Sequence, residues 1–355
     1  MTLLDEIREQ PEVAARLLAT QAGPIEAIAG ALRARPIDGV LIAARGTSDH
    51  AAIYAQYLFG AFHRLPVALA APALVSVYGT PPRVGRWLVI GISQSGASPD
   101  VVAVVAAGRS QGASTIAITN APDSNLGRAA EFVIDVSAGQ ERAVAATKTY
   151  TAELLSIAML ACAMGTDGAA EGPWGTFGWR REALLRVPSA LAEALAAEPV
   201  VEIAAAERAG IEQCVVLGRG FEYATAREWA LKLKELAQLG ADPYSAADFQ
   251  HGPLALVEPG YPVLAVATRG HTAAGVADLL ARLRRDHGVD LLVISDDPEI
   301  RSLANAAIPV PPLLPEWLAP ITSIVPAQLF AYHLTLAKGL DPDHPRWISK
   351  VTLTR

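Results

Sequence analysis

Residues 87–105, WLVIGISQSGASPDVVAVV, decide how the rest of the chain is read. An apolar run from Trp87 to Ile90 gives way to Ser93, Gln94, Ser95 and Gly96, then to Ser98 and Pro99, and then to a second apolar run. A short run of large or β-branched residues without polar alternation is a strand buried on both faces, and serine followed by proline opens a helix. The hydroxyls therefore fall in a strand-to-helix turn. At the carboxyl edge of a parallel sheet, such a turn offers backbone N–H groups, hydroxyl donors and the positive end of a helix dipole, which together suit a phosphate. No Walker lysine follows and the spacing is not GxGxxG, so a nucleotide is not the natural guest. Helix capping alone also accounts for every serine.

Working outward, the same strand, turn and helix pattern recurs. GVLIAARGTSDHAAIYAQYLF (39–59) precedes the opening stretch, and ASTIAITNAPDSNLGRAAEFVIDV (113–136) follows it. The second half repeats the set. Arg45-Gly46 answers to Arg219-Gly220 in QCVVLGRGFEYATAREWALKL (213–233), YPVLAVATRGHTA (261–273) parallels the opening stretch, and DLLVISDDPEIRSLANAAIPV (290–310) parallels 113–136. A near-constant offset through three units means two copies of one α/β domain, each a parallel sheet flanked by helices in flavodoxin-like or Rossmann-like layers. The expected boundaries are a helical segment over 1–34, broken near Gln10-Pro11 and Gly23-Pro24, a first domain over 35–165, a Gly-rich linker with a helix over 166–196, a second domain over 197–338, and a tail over 339–355.

The 355 residues suffice for two such domains, and 52% hydrophobic against 18% charged residues marks a globular chain. A formal net charge of −7, with no compensating Lys/Arg cluster, argues against nucleic acid. Cys162 and Cys214 lie in apolar runs and read as core residues, and the histidines form no metal-binding spacing, so no metal and no cofactor are expected. The acidic N-terminus lacks the features of a secretion signal and no apolar run approaches a bilayer's thickness, so a cytoplasmic protein without membrane contact is expected.

The copies differ where chemistry belongs. RGTS and SQSGAS in the first become RGFE and TRGHTA in the second, which instead carries REWALKLKELAQLGADPYSAADFQHGPLALVEPG (227–260). Glu228, Lys232 and Glu235 share one helix face. The bland reading is a solvated face with one weak ion pair, and His251 reads as an ordinary exposed turn residue. Fully extended, the tail from Gly339 to Lys350 can span up to ~36 Å.

EIREQP, RGTSDH, SQSGAS, AVAATKTY, LKLKE, DFQHGPLALVEPG, PAQLFAYHLTLAKGLDPDHPR and SKVT, in that order, resemble the sugar isomerase (SIS) family, in particular the isomerase domain of glucosamine-6-phosphate synthase and its stand-alone relatives. The resemblance implies that Ser93, Gln94, Ser95, Ser98 and Ser48 hold a sugar phosphate, with Thr47 and Val144 near the sugar. It implies that Glu235 moves a proton between sugar carbons 1 and 2, that His251 opens the ring from a neighbouring subunit of a homodimer, that Lys350 approaches the carbonyl, and that Lys232 supplies a supporting charge. Arg45 stands where the synthase has cysteine and Ala146 where it has a serine. The synthase's glutaminase segment has no counterpart in the resemblance, which implies no glutamine hydrolysis by that route, and the RGTSDH form resembles the stand-alone glucosamine-6-phosphate deaminases, with Arg45 and Ala146 leaving the particular sugar open. The implied reaction is glucosamine 6-phosphate plus water to fructose 6-phosphate plus ammonia. A fructosamine 6-phosphate deglycase, a glutaminase-less phosphosugar isomerase and a non-catalytic phosphosugar sensor are the alternatives.

Overall fold

The computed structural model describes residues 2–165 and 174–350, so part of the expected linker (166–173) and the residues beyond Lys350 lie outside the described residues. One sheet contains β1 (Val40–Ala43), β2 (Val67–Leu69), β3 (Leu88–Ile92), β4 (Ser114–Thr119) and β5 (Phe132–Asp135). The other contains β6 (Gln213–Gly218), β7 (Gly240–Ser245), β8 (Pro262–Val266), β9 (Asp290–Ser295) and β10 (Ala306–Pro309). Every pairing is parallel, and the orders β2-β1-β3-β4-β5 and β7-β6-β8-β9-β10 are the same order twice. The register repeats as well: Val40 pairs with Leu88 in one sheet, and Val215 with Val263 in the other. This is the tandem α/β fold expected from the repeat.

The central strands are apolar along their length because both faces are covered; β1, β3 and β4 are buried at every residue. The edge strands β2 and β7 escape a sequence reading. β2 has three half-buried residues, and β7 reads GADPYS. Pro243 is tolerated there because an edge strand need not offer every N–H to the ladder.

The N-terminal helices run Leu3–Arg8 and Gln10–Arg33. The break expected at Gly23-Pro24 is absent, and Pro24 lies inside the second helix. Leu17, Ile25, Ile28, Ala29 and Leu32 form one buried face across the proline, and their burial outweighs the single hydrogen bond that proline forfeits. Cys162 and Cys214 are core residues, and burial pushes both thiols up to about 12. Among the described residues no helix is long and apolar enough to cross a membrane.

The chain divides into two compact units. One comprises Glu12–Glu141, Lys148–Leu185 and the tail from Ser349, with the first sheet; the other comprises the residues up to Pro11, Arg142–Thr147 and Arg186–Ile348, with the second sheet.

Candidate active site

In a sheet ordered like the first one, the crevice for a ligand opens where the connections diverge, beyond the carboxyl ends of β1 and β3. The RGTS and SQSGAS turns leave the sheet at those two strands. Gly46, at a φ of 56°, opens the helix Thr47–His63. Thr47 is partly exposed, whereas Ser48 is buried and donates its hydroxyl to Glu153 Oε1 at 2.9 Å. Ser48 thus spends its proton inside the unit.

After β3, Ser93 Oγ accepts the Gly96 N–H at 3.2 Å and Ser95 Oγ accepts the Ala97 N–H at 3.3 Å. Each hydroxyl keeps its own proton to donate. Gly96 is required on two counts: its φ is 60°, and a Cβ there would lie 1.9 Å from Ser124 Oγ. Gln94 lends its carbonyl to Asn120 N–H and Thr119 Oγ1, leaving its side chain half-exposed on the turn. Ser98 occupies the cap position of the helix Pro99–Ser110, yet its side chain makes no capping hydrogen bond. Capping therefore does not account for that hydroxyl. Arg45 reaches across from the β1 turn to buried Asp100, with two guanidinium nitrogens 2.7 and 2.6 Å from Oδ2, and the arginine itself stays about half exposed. The result is a turn of neutral donors with a cation beside it, suited to an anion.

In the second unit, the helix Glu222–Ala237 buries Glu228 and Lys232 completely. The solvated face is thus overturned: the helix packs this side inward instead of leaving it to water. Lys232 Nζ lies 2.5 Å from Glu235 Oε2 and 3.2 Å from Glu228 Oε1. Burial alone would lower the lysine, but the two carboxylates outweigh it and hold Lys232 above the usual range. Glu235 retains 23% side-chain exposure, so the triad has one buried end and one end open to a reactant. His251 ends the short 3-10 turn Asp248–His251 and is exposed. Val144 is partly exposed on a loop fixed by buried Glu6, whose carboxylate accepts the Arg142 and Ala143 N–H groups at 2.5 and 3.1 Å.

Lys350 belongs to the first unit, where its Nζ lies 2.7 Å from Glu141 Oε2. The candidates are therefore divided: Arg45, Thr47, Ser48, Ser93, Gln94, Ser95, Ser98 and Lys350 in one unit, and Val144, Lys232, Glu235 and His251 in the other. Asp100, Glu141 and Glu153 went unnoticed in the sequence. Only Glu153 carries a local signal, a lone acid in the apolar run TKTYTAELLSIAML.

The chain is thus a doubled flavodoxin-like α/β protein with a donor-rich turn in one copy and a buried Glu-Lys-Glu triad in the other. The SIS domain model matches residues 37–163 and 209–338, and the chain belongs to that family. The glutamine–fructose-6-phosphate aminotransferase (isomerizing) of Methanothermobacter thermautotrophicus is 34% identical over 357 residues, covering 98% of this chain and 56% of its own length. The chain spans little more than half the length of the curated relatives it matches. The C-terminal domain of glucosamine-fructose-6-phosphate aminotransferase from Francisella tularensis superposes with a TM-score of 0.85 at 26% identity, covering 97% of this chain and 98% of that one. Glucosamine-6-phosphate deaminase from Thermotoga maritima covers both chains fully with a TM-score of 0.77, but at 22% identity it shares the fold alone. These relatives are enzymes.

Proposed function

We propose that the chain is a phosphosugar aldose-ketose isomerase acting as a deaminase, converting glucosamine 6-phosphate and water to fructose 6-phosphate and ammonia. The observation that carries this reading is the Glu228-Lys232-Glu235 triad, a buried cation that orients a partly exposed carboxylate. Such a carboxylate is suited to carry a proton between adjacent carbons. Ser93, Ser95 and Ser98 would donate to the phosphate, with Gln94 and the guanidinium of Arg45 beside them, Thr47 and Val144 nearer the sugar, and Ser48 holding the turn through Glu153. A dianionic handle bound far from the reacting carbons positions the reacting end.

On this reading His251, exposed in its own chain, passes a proton between the ring oxygen and the C1 hydroxyl, acting on the sugar of a second copy in a homodimer. Glu235 takes the proton from C2 of the open-chain amino sugar, leaving an enolamine, exchanges that proton with water through its open end, and delivers a solvent-derived proton to C1. The resulting C2 imine adds water and releases ammonia. Lys350 donates a hydrogen bond to the carbonyl oxygen as charge builds there.

The test is turnover of glucosamine 6-phosphate in deuterated water. Ammonia release with one deuterium at C1 of fructose 6-phosphate is expected, and Glu235→Gln should lower the rate by about 10²–10⁴-fold. Inertness toward this substrate, with turnover of a fructosamine 6-phosphate, would transfer the assignment to a deglycase. Binding of sugar phosphates without any exchange at C1 or C2 would mark a sensor.

A further inference from the structure

The tail lysine is held by a residue with no assigned role. Glu141 has a side chain with 0% exposure, and its two oxygens are used differently: Oε1 accepts the Thr149 N–H at 3.1 Å, while Oε2 takes the ammonium of Lys350 at 2.7 Å. The first contact seats the carboxylate in the opening turn of the helix Lys148–Ala163, where a helix dipole favours a negative charge. The neighbouring residues tighten the arrangement, because buried Lys148 donates to the Gln140 carbonyl at 2.9 Å. Loop and helix therefore lock each other, and the acceptor is oriented by contacts that do not involve the tail. Arg346, Trp347, Ile348 and Ser349 are all exposed, so the chain leading to the lysine has little packing to place it. Lysine loses considerable rotamer freedom when fixed, and a preorganised partner is what makes such fixing repeatable.

We infer that Glu141 is a positioning residue for Lys350: its buried carboxylate fixes the tail lysine on the unit that carries the serine turn, in the place from which it serves the reaction. The effect on turnover rests on the function proposed above, whereas the anchoring itself does not.

Glu141→Gln keeps the size and the acceptor for Thr149 N–H but loses the ion pair. Hydrogen-deuterium exchange over residues 340–350 should quicken about tenfold in this variant, and Lys350→Met should reproduce the effect without touching the buried loop. With glucosamine 6-phosphate, kcat should fall by about 10–100-fold while KM stays within about twofold, the pattern of a displaced group rather than lost binding. Glu141→Asp, which keeps the charge, should recover part of kcat, and adding Glu141→Gln to Lys350→Met should have no further effect. Unchanged exchange in the tail of Glu141→Gln would overturn the anchoring, and so would full additivity of the two variants. A rise in KM with kcat intact would overturn the positioning role. If the wild-type chain turns over no sugar phosphate, the proposed function fails while the exchange measurement still decides the anchor.

Discussion

The two copies of the domain share strand order, register and even the positive-φ glycine that follows their first central strand, Gly46 in one and Gly220 in the other. They have nevertheless been filled in opposite ways. After β3, the turn presents hydroxyls with protons to give, and Ser98 makes no cap. After β8, the equivalent turn is closed by the protein's own acids: Thr268 donates to Glu222 Oε1 at 3.0 Å, the Arg269 N–H to Asp296 at 2.7 Å, and the His271 N–H to Glu316 at 2.8 Å. Internal acids accept from the second turn, whereas Ser93 and Ser95 in the first keep their hydroxyl protons. The helix that follows β6 is reversed in the same sense. At the offset of 174, Glu228 and Lys232 answer to Tyr54 and Leu58, both fully buried, so the first copy has core side chains where the second has charges. One hydrogen bond has also exchanged ends: Ser48 donates to Glu153 in the first copy, and Ser323 donates to Glu222 in the second. The same scaffold closes with either filling, so closure of the fold does not explain either set of polar residues.

The sharpest way to break this comparison is to give the second copy an apolar filling, as the first copy has. Lys232→Leu alone removes the ammonium between two carboxylates and leaves Glu228 charged in a dry position. Denaturant unfolding should register a loss of about 3–5 kcal/mol. Adding Glu228→Leu should restore most of that loss, since well-packed apolar residues replace a buried pair at little cost. Turnover should stay lost in the double variant. If the double variant is as unstable as the single one, the triad holds the domain together and the first copy's Tyr54 and Leu58 are no guide to it.

How much of this could be read in advance follows from the range of the interactions involved. The central strands and the repeat are written in contiguous apolar runs, and the doubling shows in the two Arg-Gly turns. The edge strands β2 and β7 are not, because an edge strand is half-solvated and its pairing is fixed by a neighbour distant in the chain. Burial of Glu228 and Lys232 was hidden for a related reason: an i,i+4 Glu-Lys pair looks the same on a solvated face and against a packed helix. Glu141 is the extreme case, since its partner lies 209 residues away and no local pattern links the two. The serines of the β3 turn were legible as donors, but that Ser98 does not cap, and that Ser48 is committed to Glu153, are matters of side-chain geometry.

A smaller effect tests whether the β8 turn is closed by a carboxylic acid. Burial pushes Glu222 up to about 7, a rise opposed by hydroxyls from Thr225, Ser323 and Thr268 and assisted by Asp296. An acid whose folded value is raised stays protonated in the native chain while the unfolded chain ionises from about 4.5 upward. The stability it contributes is therefore fully present below that value and is lost as pH rises toward 7. Across that window wild type should lose on the order of 3 kcal/mol more than Glu222→Gln, measured by denaturant unfolding at a series of pH values. In the first copy the equivalent residue is Ser48, which has no charge to titrate in this window. Parallel curves for wild type and Glu222→Gln would mean that the buried acid is not the group closing the second turn.

The smallest effect separates a cap from a ligand donor. Ser98-Pro99 and Asp297-Pro298 are the same kind of helix start, yet Asp297 accepts the Glu299 N–H at 2.8 Å and Ser98 makes no such bond. Asp297→Ala should therefore cost about 1 kcal/mol of stability and leave KM for the sugar phosphate unchanged. Ser98→Ala should alter stability by less than about 0.5 kcal/mol while raising KM roughly tenfold, as expected for one hydrogen bond to a charged ligand. If the two variants instead lose stability alike and KM does not move, Ser98 is a cap after all. The β3 turn would then differ from its second-copy counterpart by two hydroxyl donors, Ser93 and Ser95, rather than three.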